Sequence, residues 1–212
     1  EIKIFKNEGS KILKINTQRY TYIKIKKGEK IKILSTSDFL VGRTILLKRD
    51  NKNKYKLVLL MFVDGLYDLE NLGLGKISEL MPNTTKFFEN GTSFRKHHAN
   101  AEWTLASFPN IFTGGYTSGH GFFHPRKNHE IGRGYKGLGQ LFHDKNYLTF
   151  QVGGGWRMNP SYGYIKGFDR TIYKREMDCN TIITEFIENN QALGDRDQFV
   201  WLNFNELHHF LK

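Results

Sequence analysis

Seven consecutive apolar residues, Leu57-Val-Leu-Leu-Met-Phe-Val63, interrupt a chain that until then alternates apolar and basic positions. An apolar run without alternation is the pattern of a strand buried on both faces of a parallel sheet. Phe199-Val-Trp-Leu-Asn-Phe204 is a second such run. Between them the sequence predicts a helix over 83–90, with Pro82 near its start and Gly91 beyond its end. It predicts further helices over 138–144 and 181–189, and a strand over 148–152. Strands alternating with helices make residues 56–212 an α/β layer fold.

Residues 1–50 read differently. Ile2-Lys-Ile-Phe5, Ile12-Leu-Lys-Ile15, Tyr20 to Lys26 and Lys30 to Leu34 have period two, the mark of strands with one buried face. Glu8-Gly-Ser10 and Lys27-Gly-Glu29 are turn signals between them. The expectation is a small antiparallel β unit. Residues 1–56 carry 16 Lys and Arg against 5 Asp and Glu, whereas residues 57–212 carry 16 of each, so the whole net charge of +11 lies in the first quarter. The lysines either solubilise an open sheet face and block edge pairing, or meet an anionic polymer such as a phosphorylated glycan. Nucleic acid is not the expected partner.

Two features narrow the chemistry. There is one cysteine, Cys179, so neither an internal disulfide nor a Cys-based zinc cluster can form. No stretch of 18 apolar residues exists to span a membrane; the sequence leaves the compartment open. Asp64 follows the first apolar run directly. In open α/β sheets ligands bind at the carboxyl ends of the strands, and a carboxylate there suits a hard divalent cation. An Asp-Gly pair after a strand also reads simply as a turn.

The order of several segments is more specific. Met81-Pro-Asn-Thr-Thr-Lys-Phe-Phe-Glu-Asn-Gly-Thr-Ser-Phe94, Ala99-Asn-Ala-Glu-Trp-Thr-Leu-Ala-Ser-Phe-Pro-Asn-Ile-Phe-Thr-Gly114, Gly119-His-Gly121, Gly167-Phe-Asp169 and Phe199 to His209 succeed one another. In that order they resemble the front half of sulfatase-type enzymes of the alkaline phosphatase superfamily. The resemblance spans residues 57–209. It implies a layered α/β sheet with helices on both faces, incomplete here, following the basic β unit. It also implies a hydrolase or transferase that uses a divalent metal (Zn, Mn, Mg or Ca) on an anionic phosphoester or sulfate-ester substrate, such as a glycan or lipid head group.

Residue by residue, the resemblance puts Asp64 at a metal-ligand position and Thr104 at that of the nucleophile, which is also a metal ligand. Sulfatases need Cys or Ser there, because the side chain is oxidised to an aldehyde. Threonine, with a methyl group on its β-carbon, cannot give that aldehyde. Thr104 instead resembles the phosphodiesterases and phosphoglycerol or phosphoethanolamine transferases of the superfamily, in which a metal-bound threonine oxygen attacks phosphorus. A threonine there also reads as a helix N-cap. The family's Gly-Lys-Trp-His box corresponds to Gly154-Gly-Trp-Arg157, without the lysine and histidine that hold sulfate. Trp156 and Arg157 resemble substrate-binding residues, Arg157 as a planar clamp for phosphate. His208 corresponds to a histidine that contacts the transferred group, with His209 beside it.

There are departures. Phe108 stands for the box arginine and Ala106 for its proline. Pro109 falls where a helix starting at Thr104 would need a backbone N–H, so the expectation is a later start with Ser107 as cap. His120 is expected near the site, His97 and His98 as structural or surface residues. The family's Asp-His-Gly motif, which supplies the remaining metal ligands, has no counterpart up to Lys212. The expectation is that the rest of the catalytic domain is a partner of this segment. The alternatives are a sulfate-ester hydrolase, or a non-catalytic relative that binds an anionic glycan through its N-terminal lysines.

Overall fold

A computed structural model describes residues 2–6, 9–13, 22–38, 41–42, 44–46, 55–94, 96–124, 131, 134–194 and 196–209. The chain divides into two compact units, Glu1–Leu46 and Leu47–Lys212.

In the first unit, β1 (Ile2–Lys6) pairs antiparallel with both β2 (Gly9–Leu13) and β3 (Lys32–Ser35), giving the order β2-β1-β3. Alternation explains the sheet: Ile4 is buried on one face, while Ile12 and Leu34 are exposed on the other. A turn at Lys27-Gly28 closes with Glu29 N–H donating to Lys26 O at 3.0 Å. Residues 22–26 form no strand, and Gly9-Ser10 open β2 rather than a turn. Lys14 to Tyr20 and Glu8 lie outside the described residues.

The second unit is a four-stranded parallel sheet in the order β4-β7-β5-β6, built from β4 (Leu57–Val63), β5 (Leu148–Gly153), β6 (Arg170–Tyr173) and β7 (Gln198–Phe204). Its helices are α1 (Ile77–Leu80), α2 (Pro82–Phe87), α3 (Thr104–Thr113), α4 (Thr117–His120), α5 (Leu138–Asp144), α6 (Cys179–Leu193) and α7 (Glu206–His209). None of the described helices is long and apolar enough to cross a membrane.

The two faces of the sheet carry separate cores. On one, Leu105, Phe108 and Phe112 of α3 meet Phe199 and Trp201 of β7, with Val58, Leu60 and Phe62 of β4 and Phe142 of α5 packed around them. Phe108 sits edge-on to Phe62, Tyr164 and Trp201 at 4.6–5.1 Å between ring centroids. The position that holds arginine in the resembled box is thus a core aromatic here. On the other face, Ile182 of α6 covers Phe150, Val152, Val200, Leu202 and Phe204, with Phe186 packed alongside.

Two expectations are corrected. β7 is buried at every residue, but β4 is not buried on both faces: Leu57, Leu59 and Met61 are 39–47% exposed. β4 is an edge strand, and the core under α6 draws on β5, β6 and β7 and on β4 only at Val63. Nor does Ser107 cap a late helix. α3 begins at Thr104 and contains Pro109, and Ser107 Oγ donates to Ala101 O at 2.7 Å. Pro109 lacks the N–H that would reach the Leu105 carbonyl. The neighbouring turn is braced from outside, where Thr117 Oγ1 contacts Ala106 O at 3.5 Å and pairs with Asn110 at 3.1 Å.

Candidate active site

Asp64 leaves the carboxyl end of β4 and its N–H donates to Phe204 O, at the end of β7, at 2.8 Å. Two adjacent parallel strands therefore finish level, and the segments that leave them come together. Gly65 makes the junction possible. Its φ is +82°, and a Cβ there would lie 2.9 Å from the backbone nitrogen of His208. Only glycine takes that backbone and allows that approach. α7 is tied down in turn by Glu206, whose carboxylate accepts from the Cys179 N–H at the start of α6. Asp178, the cap of α6, accepts from Thr181 N–H at 2.8 Å.

Thr104 is the first residue of α3, with Trp103 in the cap position. Its hydroxyl does not cap the helix. Oγ1 donates to Asp64 Oδ1 at 2.9 Å, and both side chains belong to residues that are 8% exposed. The second Asp64 oxygen faces His208 Nδ1 at 3.7 Å. On its other side His208 Nε2 lies 3.0 Å from Arg157 Nη1. A guanidinium only donates, so Nε2 accepts, and a neutral ring carries its proton on Nδ1, toward Asp64. Arg157 also lies over the Trp156 ring at 4.6 Å, a cation–π contact. Thr104, Asp64, His208, Arg157 and Trp156 thus form one continuous chain of contacts.

A small pocket opens on this chain, lined by Asp64, Gly155, Trp156, Arg157, Arg175, Glu176, Asn205 and His208. Sequence reasoning misses Arg175, Glu176 and Asn205. Asn205 has a legible signal, since it follows β7 as Asp64 follows β4. Arg175 and Glu176 lie beyond β6, in a loop with no motif to mark it.

His120 does not line this pocket. It is 5% exposed and sits under α3. Phe122 N–H donates to its Nδ1 at 3.1 Å, so the ring proton is on Nε2, which donates to Asn110 Oδ1 at 2.6 Å. Burial pushes its pKa down from the ordinary value of 6.5. His97 and His98 are exposed. The side chain of His209 lies outside the described residues. Gly167-Phe-Asp169 serves the fold: Phe168 joins the α3-side core and Asp169 accepts from Thr149 N–H at 3.0 Å.

The donor set for a metal is incomplete. Among the described residues no group of three or more His, Cys, Asp or Glu could hold an ion. Asp64 and Thr104 offer at most three side-chain oxygens, which leaves a divalent ion short of the six or more that hard cations take.

A parallel α/β sheet thus carries a carboxylate–hydroxyl pair at its carboxyl edge, beside an arginine and a histidine. A family model described as Sulfatase matches residues 56–211. The chain belongs to the Sulfatase family. No curated protein matches it by sequence. A solved structure similar to it is the C-terminal periplasmic domain of EcEptC from Escherichia coli in complex with Zn, at 12% identity and a TM-score of 0.49. That match covers 77% of this chain and 47% of the other, so this chain spans about half the length of that domain.

Proposed function

We propose that this segment carries the nucleophile side of a divalent-metal-dependent phosphoester hydrolase or transferase, with Thr104 as the attacking group. The observation that carries the reading is the 2.9 Å hydrogen bond from Thr104 Oγ1 to Asp64 Oδ1 in a buried corner next to Arg157 and His208. Asp64 orients the hydroxyl and draws on its proton, which raises the nucleophilicity of the oxygen. Arg157 offers its planar fork to the oxygens on phosphorus, and Trp156 packs on the alcohol part of the ester. When Arg157 turns to the substrate, His208 Nε2 gives up that donor and can exchange a proton with the transferred group or the leaving oxygen.

A divalent ion at Asp64 and Thr104 would screen charge at phosphorus. Its remaining ligands must come from polypeptide other than the described residues. The open strip of Leu57, Leu59 and Met61 beside α6 supports a further element packing there, since an apolar strip on an edge strand is unfavourable in water.

A sulfate-ester substrate is the second reading, favoured by the family itself. Threonine at position 104 and the Gly-Gly-Trp-Arg sequence at 154–157 weigh against it. Matched nitrophenyl phosphodiester, phosphomonoester and sulfate substrates, offered to the intact protein, separate the two. Faster turnover of one of the phosphates is expected, and faster turnover of the sulfate than of both would overturn the preference.

A further inference from the structure

Two asparagines stand at the end of β7, and the fold uses the side chain of only one. Phe199 and Trp201 of β7 face α3, and strand alternation puts Asn203 on the same side. Asn203 is 5% exposed, and its Oδ1 accepts the Trp201 indole N–H. Asn205 lies just beyond the strand, half-buried, and lines the pocket with Asp64, Arg157 and His208. It leaves β7 as Asp64 leaves β4, and those two strands finish level.

An asparagine just ahead of a helix ordinarily turns its side-chain oxygen onto an N–H two or three residues later. Asn205 precedes α7, yet the turn there is closed through the backbone, with His208 N–H donating to Asn205 O at 3.1 Å. Among the described residues the Asn205 carboxamide makes no hydrogen bond. It lies against Gly155 instead, where a Cβ would come within 3.0 Å of Asn205 Cγ. Gly155 is fixed from its other side: its N–H donates to Arg175 O at 2.9 Å, and its carbonyl accepts from the Tyr173 hydroxyl at 3.2 Å. The carboxamide thus rests on a fixed wall of the pocket with its donors uncommitted. A helix cap forgone in this way breaks a local rule, as residues at functional sites do.

We propose that Asn205 is a substrate-contacting residue of this site, donating from its Nδ2 to a non-bridging oxygen of the ester group that Thr104 attacks. The inference rests on the functional reading above and adds a residue to it. A non-bridging oxygen only accepts, so the nitrogen is the end of the amide that meets it. A neutral donor strengthens its hold as charge develops on that oxygen, and it carries none of the desolvation cost of a further buried cation.

Steady-state turnover of a bis-aryl phosphodiester by the intact protein at saturating Mn²⁺ tests it, with Asn205→Ala, Asn205→Asp and Thr104→Ala compared and folding checked by circular dichroism. Asn205→Ala is expected to lower kcat at least about tenfold. Asn205→Asp keeps the shape of the side chain but replaces the donor with a second acceptor, so it is expected to fall at or below Asn205→Ala. A residue that merely packs on Gly155 gives the opposite order, because aspartate fills the same space. Turnover by Asn205→Asp above that of Asn205→Ala, or near-normal turnover by both, with Thr104→Ala inactive, overturns the inference and leaves the functional reading standing. Near-normal turnover by Thr104→Ala, or none by the unmodified protein, overturns both.

Discussion

The two faces of the parallel sheet are built to different extents. Under α3 and α5 the core reaches all the way to the edge strand, taking in Val58, Leu60 and Phe62. Under α6 it stops at β7 except for Val63, and Leu57, Leu59 and Met61 face outward. The apolar runs of β4 and β7 look alike in sequence, yet β7 is buried throughout and β4 is only half-buried, on one side. The difference teaches that a continuous apolar run reports the burial a strand is meant for, while the burial it has depends on which neighbours are in place. It also shows where the site gets its rigidity. Thr104 projects from the helix on the closed face, and Asp64 from the strand whose inner residues that face clamps.

Substitutions on the two faces should therefore differ most in stability. Trp201→Ala removes the largest fully buried side chain, in contact with Phe108 and Phe112. It should destabilise by about 3–5 kcal/mol in urea unfolding. Leu59→Ala, on the open face, should cost less than about 1 kcal/mol when residues 1–212 are unfolded by themselves. Equal losses at the two positions in the intact protein would mean that the open face is packed there, and would place a covering element over β4.

A smaller effect should come from His120, inside the closed face. Burial lowers its pKa, so the folded protein favours the neutral ring. Below the ordinary pKa of 6.5 the unfolded chain takes up the proton first, and stability falls as the pH drops toward the folded-state pKa; above 6.5 this contribution is constant. Unfolding curves between pH 8 and 5 should show this acid loss, reduced in His120→Gln. An unchanged pH slope in that variant would contradict the neutral, doubly hydrogen-bonded ring.

Much of this is legible in the sequence. The helix over Leu138–Asp144 and both long apolar strands follow from pattern alone. The helix predicted over 83–90 lies at Pro82–Phe87, with α1 just before it, because Phe88 takes a non-helical backbone and ends it. Local pattern misplaces the start of α3 because Pro109 weighs against a helix, while the contacts of Leu105, Phe108 and Phe112 outweigh one missing rung. Resemblance pairs Asp64 with Thr104, but their contact depends on Gly65 and on two strands ending level, which spacing does not reveal. The tautomer of His208 and the approach of Arg175 depend on loops that touch through glycine backbones, and no side-chain pattern encodes that.

The most direct test of the central reading is Thr104→Ala in the intact protein, assayed on a bis-aryl phosphodiester with folding checked by circular dichroism. If the Thr104 hydroxyl held by Asp64 is the nucleophile, turnover should fall at least about a thousandfold while the fold is retained. Near-normal turnover in a folded Thr104→Ala protein would contradict it, leaving the Thr104–Asp64 hydrogen bond as a purely structural link between α3 and β4.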